Sequence, residues 1–99
     1  MNPSFAIAWS NLAGVYTSLG QRATAISFYL KAIKLKPRFP DAYNNLASSY
    51  MQLGEIEEAI QTFKMALTLN PRLGEAHSNL GNLYKALGKL GEAEVRHIL

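Results

Sequence analysis

The chain has 99 residues, a formal net charge of +3, and is 48% hydrophobic against 17% charged, which describes one small folded domain rather than a disordered tail. No apolar run nears the roughly 18 residues of a membrane span, and Met1-Asn2-Pro3-Ser4 does not open like a secretory leader. The absence of cysteine removes disulfide and thiolate chemistry, and the cytosol or nucleus is the compartment expected.

Helices are predicted near 4–18, 22–35, 40–52, 56–69, 74–86 and 90–98. In the first, Trp9, Leu12, Ala13 and Tyr16 fall at i, i+3, i+4 and i+7, forming one stripe, and Gly20 follows Leu19 as a left-handed stop. The second carries Ala25, Tyr29, Ala32 and Ile33 on one face and ends before Pro37. The third repeats the first stripe with Tyr43, Leu46, Ala47 and Tyr50, then Gly54. The fourth repeats the second with Ala59, Phe63, Ala66 and Leu67, then Pro71. The fifth has His77, Leu80, Gly81 and Tyr84 before Gly88, and the sixth runs out at Leu99. Small residues Ala13, Ala47 and Gly81 are expected to face Ala25, Ala59 and Ala93 where paired helices approach.

These stripes recur with a period of 34. Identical residues stand at Ala8/Ala42/Ala76, Asn11/Asn45/Asn79, Leu12/Leu46/Leu80, Tyr16/Tyr50/Tyr84, Leu19/Leu53/Leu87, Gly20/Gly54/Gly88 and Ala25/Ala59/Ala93. The units are 6–39, 40–73 and a partial 74–99, within a single domain spanning 1–99.

Residues 1–39 carry Arg22, Lys31, Lys34, Lys36 and Arg38 with no acid. A basic end can meet nucleic acid, but Lys31, Lys34 and Lys36 lie at the end of a predicted helix, where cations offset the macrodipole. No aromatic residues alternate with them to stack bases, so nucleic acid is the lesser reading. Catalytic signatures are missing. There is no phosphate loop, no Ser/His/Asp set and no His-Glu-x-x-His, and His77 and His97 lie on different predicted helices. Glu57, Glu58, Glu92 and Glu94 read as solvated or helix-start charges. No metal, cofactor or active site is expected.

The pattern W-x2-L-[AG]-x2-Y…G…A-x3-[FY]-x2-A…P resembles the tetratricopeptide repeat over essentially the whole chain. The third unit departs from it, with His77 and His97 at the two aromatic positions and Glu94 in place of Ile26 and Ile60. The resemblance implies an all-α solenoid of antiparallel hairpins in a right-handed superhelix, with the first helix of each pair lining a concave groove. Phrases such as Pro40-Asp41-Ala42-Tyr43-Asn44-Asn45-Leu46-Ala47 look like repeats of the O-linked N-acetylglucosamine transferases, in which such repeats recruit protein substrates for a separate catalytic domain.

First-helix positions outside the core stripes are expected to face the groove. They are Ile7/Asp41/Glu75, Ser10/Asn44/Ser78, Asn11/Asn45/Asn79, Gly14/Ser48/Asn82 and Thr17/Met51/Lys85. An asparagine amide offers a donor and an acceptor, which suits the backbone of an extended peptide. In the transferase family such a ladder holds peptides by their main chain, and Asn11, Asn45 and Asn79 match it. The competing role for these asparagines is hydrogen bonding within or between helices. The carboxylate clamp of chaperone adaptors would call for cations at Ser10, Glu75 and Asn79 and asparagine at Gly14 and Asn45. Only Asn45 agrees. The expected partner is an extended protein segment, and the expected activity is non-catalytic. The rival reading is a stand-alone scaffold or cochaperone adaptor. Raw ends at the Trp9 side and at Leu90, Val95 and Ile98 predict a piece of a longer superhelix, with self-association through those ends.

Overall fold

The computed structural model describes residues 3–89, which form five α-helices: α1 (Pro3–Ser18), α2 (Arg22–Leu35), α3 (Pro40–Gln52), α4 (Ile56–Leu69) and α5 (Gly74–Lys89). The predicted sixth helix, with Leu90, Glu92, Ala93, Glu94, Val95, His97 and Ile98, lies outside the described residues.

The hairpins α1–α2 and α3–α4 close in the same way. Gly20 and Gly54 adopt φ of 78° and 82°, a left-handed turn open to glycine at little cost. The amide of Gln21 then bonds the Tyr16 carbonyl at 2.9 Å, and that of Gly20 bonds Thr17 at 3.0 Å. Glu55 to Tyr50 at 2.9 Å and Gly54 to Met51 at 3.1 Å repeat the arrangement 34 residues on. Both are helix ends in which a left-handed residue lets two amides reach back to the last free carbonyls. The second helices stop ahead of proline. Lys36 and Asn70 each bond back four residues at 2.9 Å, to Ala32 and Ala66 respectively, before Pro37 and Pro71 remove the next donor. Pro40 opens α3 within its first turn, where no amide partner is required.

The fifth helix departs from expectation. It was predicted to stop near residue 86 at a left-handed Gly88, yet it runs to Lys89 with Gly88 helical. Glycine permits the reversal without forcing it, so its presence alone does not end a helix.

The interior is a chain of small cores, each shared by a hairpin and the first helix of the next. Ala13, Ala25, Tyr29 and Leu46 bury together from α1, α2 and α3. Ala47, Ala59, Phe63, Ala66, Ala76 and Leu83 do so from α3, α4 and α5. The predicted alanine pairs Ala13 with Ala25 and Ala47 with Ala59 therefore fall in common cores, whereas Gly81 is exposed. Helix α2 packs on both α1 and α3, while α2 and α4 do not pack on each other. The result is an elongated body of 48 × 29 × 18 Å.

Trp9 is no raw end. Its ring lies 5.2 Å from that of Phe28, with the Lys31 ammonium 4.5 Å above it. The exposed apolar surface at the front of the array belongs to other residues of α1, notably Phe5, Leu12 and Val15, and to Leu19 just past its end.

Candidate functional site

Helices α1, α3 and α5 lie side by side, and their non-core positions share one polar face. On α1, Asn11 is exposed, while Ser10 and Gly14 are half-buried. On α3, Asp41 is exposed, and Asn45 and Ser48 are half-buried. On α5, Glu75, Ser78 and Asn82 are exposed and Asn79 is half-buried. Helical periodicity produces this placement, because Asn11 and Asn45 precede the buried Ala13 and Ala47 by two residues, about 200° around the helix.

Asn44 is different, and here the structure corrects the sequence reading. It is only 2% exposed, so its side chain is no open contact for a ligand. Asn79 donates from Nδ2 to Asn44 Oδ1 at 3.2 Å, and Asn44 Nδ2 points to Asn45 Oδ1 at 3.4 Å. The three amides form a relay from α5 into α3. A buried amide needs such partners, because leaving one unpaired costs a desolvation penalty. Asn79 and Asn45 keep further capacity. Asn79 keeps a second N–H and its carbonyl oxygen for a ligand, and Asn45 keeps both of its N–H donors.

Other polar groups on this side are held in place by α1 itself. Thr17 donates from Oγ1 to the Ala13 carbonyl at 3.0 Å, and Ser18 donates to that of Gly14 at 3.2 Å. Thr17 also hydrogen-bonds the buried Tyr29 hydroxyl. Burial pushes the Tyr29 phenol above its ordinary value, and the bond to Thr17 partly opposes this. Gly14 leaves room in front of that hydroxyl, since a methyl at this position would sit 4.0 Å from it.

Two couplings were not legible in the sequence. Arg22, the first residue of α2, bonds through Nε to Gln52 Oε1 at the end of α3, joining the two hairpins. Lys36 lies 4.7 Å over the Phe39 ring. His77, where the earlier units carry an aromatic ring, donates from Nε2 to the Pro71 carbonyl at 2.7 Å and fastens the start of α5 to the preceding loop. Among the described residues no cluster of three or more His, Cys, Asp or Glu is placed to hold a metal. No helix among them is long and apolar enough to cross a membrane. Two adjoining shallow hollows, of about 320 and 290 Å³, lie between α2, α3 and α4 and share Tyr50, Gln61 and Thr62.

The repeated hairpins and their continuous first-helix face define a helical-repeat solenoid. The chain belongs to the tetratricopeptide (TPR) repeat family, which matches residues 13–54 and again 47–88. Among solved structures, the first TPR of Spaghetti (RPAP3) bound to the HSP90 peptide SRMEEVD is similar. It has a TM-score of 0.84 and 28% identity over 91% of this chain and 71% of that one. The second TPR of the same protein, bound to the same peptide, gives 0.83 and 26% over 94% and 86%. MamA gives 0.81 and 25% over 88% and 51%. No curated protein matches the chain. None of these matches points to the O-linked N-acetylglucosamine transferases.

Proposed function

We propose that this chain holds an extended peptide across α1, α3 and α5, with Asn11, Asn45 and Asn79 bonding its main chain. One observation carries the reading. The asparagines recur on three adjacent helices, each at least partly exposed, and the two that also serve the helix seam keep free donors or acceptors. The neighbouring rows Ser10/Ser78, Ser48/Asn82 and Asp41/Glu75 are neutral or acidic, and the row Thr17/Met51/Lys85 adds a single cation, Lys85. The similar RPAP3 structures hold an acidic peptide, SRMEEVD. Here the exposed Asp41 and Glu75 stand on the same face, and carboxylates repel an acidic ligand. A neutral or basic segment is the better fit.

The finer reading is an adaptor segment that recruits substrates to an O-linked N-acetylglucosamine transferase. Its support is the wording of the repeats alone. A cochaperone adaptor is the second reading, favoured by the peptide in the two RPAP3 structures. Nucleic acid is disfavoured by the engagement of Lys31 with Trp9 and of Lys36 with Phe39.

Titration calorimetry against neutral, basic and acidic C-terminal peptides tests the proposal. Asn11→Ala is the cleanest variant, because Asn11 is exposed. Paired with Asn45→Ala, it should weaken capture of a neutral peptide by roughly tenfold or more, since each lost hydrogen bond is worth about 1 kcal/mol. Tight binding of the acidic peptide, unaffected by these substitutions, would replace this reading with the cochaperone one.

A further inference from the structure

Gly14 lies inside α1 with helical backbone, so no turn requires a glycine there. Packing does not require one either. Among the described residues, a Cβ at this position would have one neighbour within 4 Å outside the adjoining helix backbone. That neighbour is the Tyr29 hydroxyl at 4.0 Å, an ordinary van der Waals contact. Glycine inside a helix is less stable than alanine, because it loses more backbone freedom on folding. The same place carries Ser48 in the next unit and Asn82 in the third. What the glycine leaves, at a loss of stability, is open space beside one oxygen atom. Local rules are broken most often at functional sites.

That oxygen is not needed by the core. Tyr29 is 3% exposed, and Phe63, 34 positions on, fills the matching part of the next core with no hydroxyl. Thr17 partners the Tyr29 hydroxyl, where the next unit has Met51. A second bond fixes the direction of the first. Thr17 has a single hydroxyl proton and gives it to the Ala13 carbonyl at 3.0 Å. The Tyr29 proton must then go to Thr17 Oγ1. What remains on the Tyr29 oxygen is lone-pair capacity, so it can accept a further bond but not donate one. Gly14 follows Asn11 by three residues, about 4.5 Å along the helix, so this notch adjoins the asparagine row.

We propose that Gly14 is the point of closest approach for the segment held on the asparagine face, and that the Tyr29 hydroxyl accepts a hydrogen bond from a main-chain N–H of that segment. This contact rests on the peptide reading given above and adds a requirement to it. Glycine allows a second backbone to come close, and a bound residue whose nitrogen belongs to a proline ring has no N–H to give. Phe63 has no oxygen at the matching place, so the contact exists in the first unit and not the second. It therefore sets the register of the bound segment at α1.

Titration calorimetry with the tightest-binding of the neutral peptides tests this. Gly14→Ala should raise the dissociation constant by roughly tenfold while the melting temperature rises, so binding and stability move in opposite directions. Tyr29→Phe should fold, because Phe63 occupies the equivalent place, and should weaken binding by about fivefold, the worth of one hydrogen bond. In the Gly14→Ala background the same change should cost no further affinity, since the hydroxyl is already out of reach. Copies of the peptide with one amide at a time replaced by an ester lose an N–H without gaining bulk. One such copy should bind the parent chain more weakly and Tyr29→Phe no more weakly. Unchanged affinity in Gly14→Ala or in Tyr29→Phe overturns the proposal, and so does additivity of the two. Those results leave any effect of Asn11→Ala with Asn45→Ala standing, so the peptide reading would survive alone. Failure of every neutral peptide to bind removes both.

Discussion

Asn79 donates its side-chain amide to Oδ1 of the buried Asn44 at 3.2 Å, joining α5 to α3 across a separation of 35 residues, one more than the repeat period. Equivalent positions in successive units do not make this bond. It links neighbouring rows, and so it fixes the stagger of one first helix against the next.

Removing the donor leaves a buried oxygen unpaired. Asn79→Ala should destabilise the chain by about 1–3 kcal/mol, read from urea unfolding. Combined with Asn44→Ala, the losses should fall well short of additive, as expected for contacting groups. Simple additivity in the cycle would mean that the bond carries no stability.

The glycines separate into two kinds. Gly54→Ala, at a φ of 82°, should cost about 1–2 kcal/mol because an L-residue is strained there. Gly14→Ala is expected to stabilise by about 0.5–1 kcal/mol, since Gly14 is helical and the new methyl meets only the Tyr29 hydroxyl at 4.0 Å. Thermal melts of the two variants should shift in opposite directions.

Ala59 is fully buried in the core it shares with Ala47 and Phe63. Ala59→Leu should overpack this contact and lower stability by about 1–3 kcal/mol. An unchanged melting temperature would contradict the close approach of α3 and α4.

Tyr29 predicts a response to alkali. Burial raises its pKa above the ordinary value near 10.0, so the unfolded chain ionises first as pH climbs. The folded state then holds more protons than the unfolded one. Stability should fall between the ordinary tyrosine value and the raised one, and level off beyond it. Tyr29→Phe should flatten that slope in urea midpoints measured against pH.

The first four helices were legible to within a residue because both of their ends are punctuated chemically. Gly20 and Gly54 take the left-handed turn, and Pro37 and Pro71 withdraw a donor. Helix α5 was misjudged at its end because Gly88 carries the same letter and a different conformation. The polar face was legible too, as arithmetic on a period of 34. The burial of Asn44 was not. Ser10, Asn44 and Ser78 share one place in the repeat yet are half-buried, buried and exposed. Asn44 is flanked by first helices on both sides, and that is a property of its neighbours rather than of its own position. Likewise Arg22 and Gln52 gave no local sign that they would meet.

The two second helices do not pack on each other, and the hollows between α2, α3 and α4 open on that side. Successive hairpins are therefore joined along α3 and free along the opposite edge. Packing is closer within each hairpin than between hairpins, so bending of the array would fall first on the seam between them. Such bending would alter the curvature of the asparagine face, and with it the spacing of Asn11, Asn45 and Asn79, before any helix unwinds.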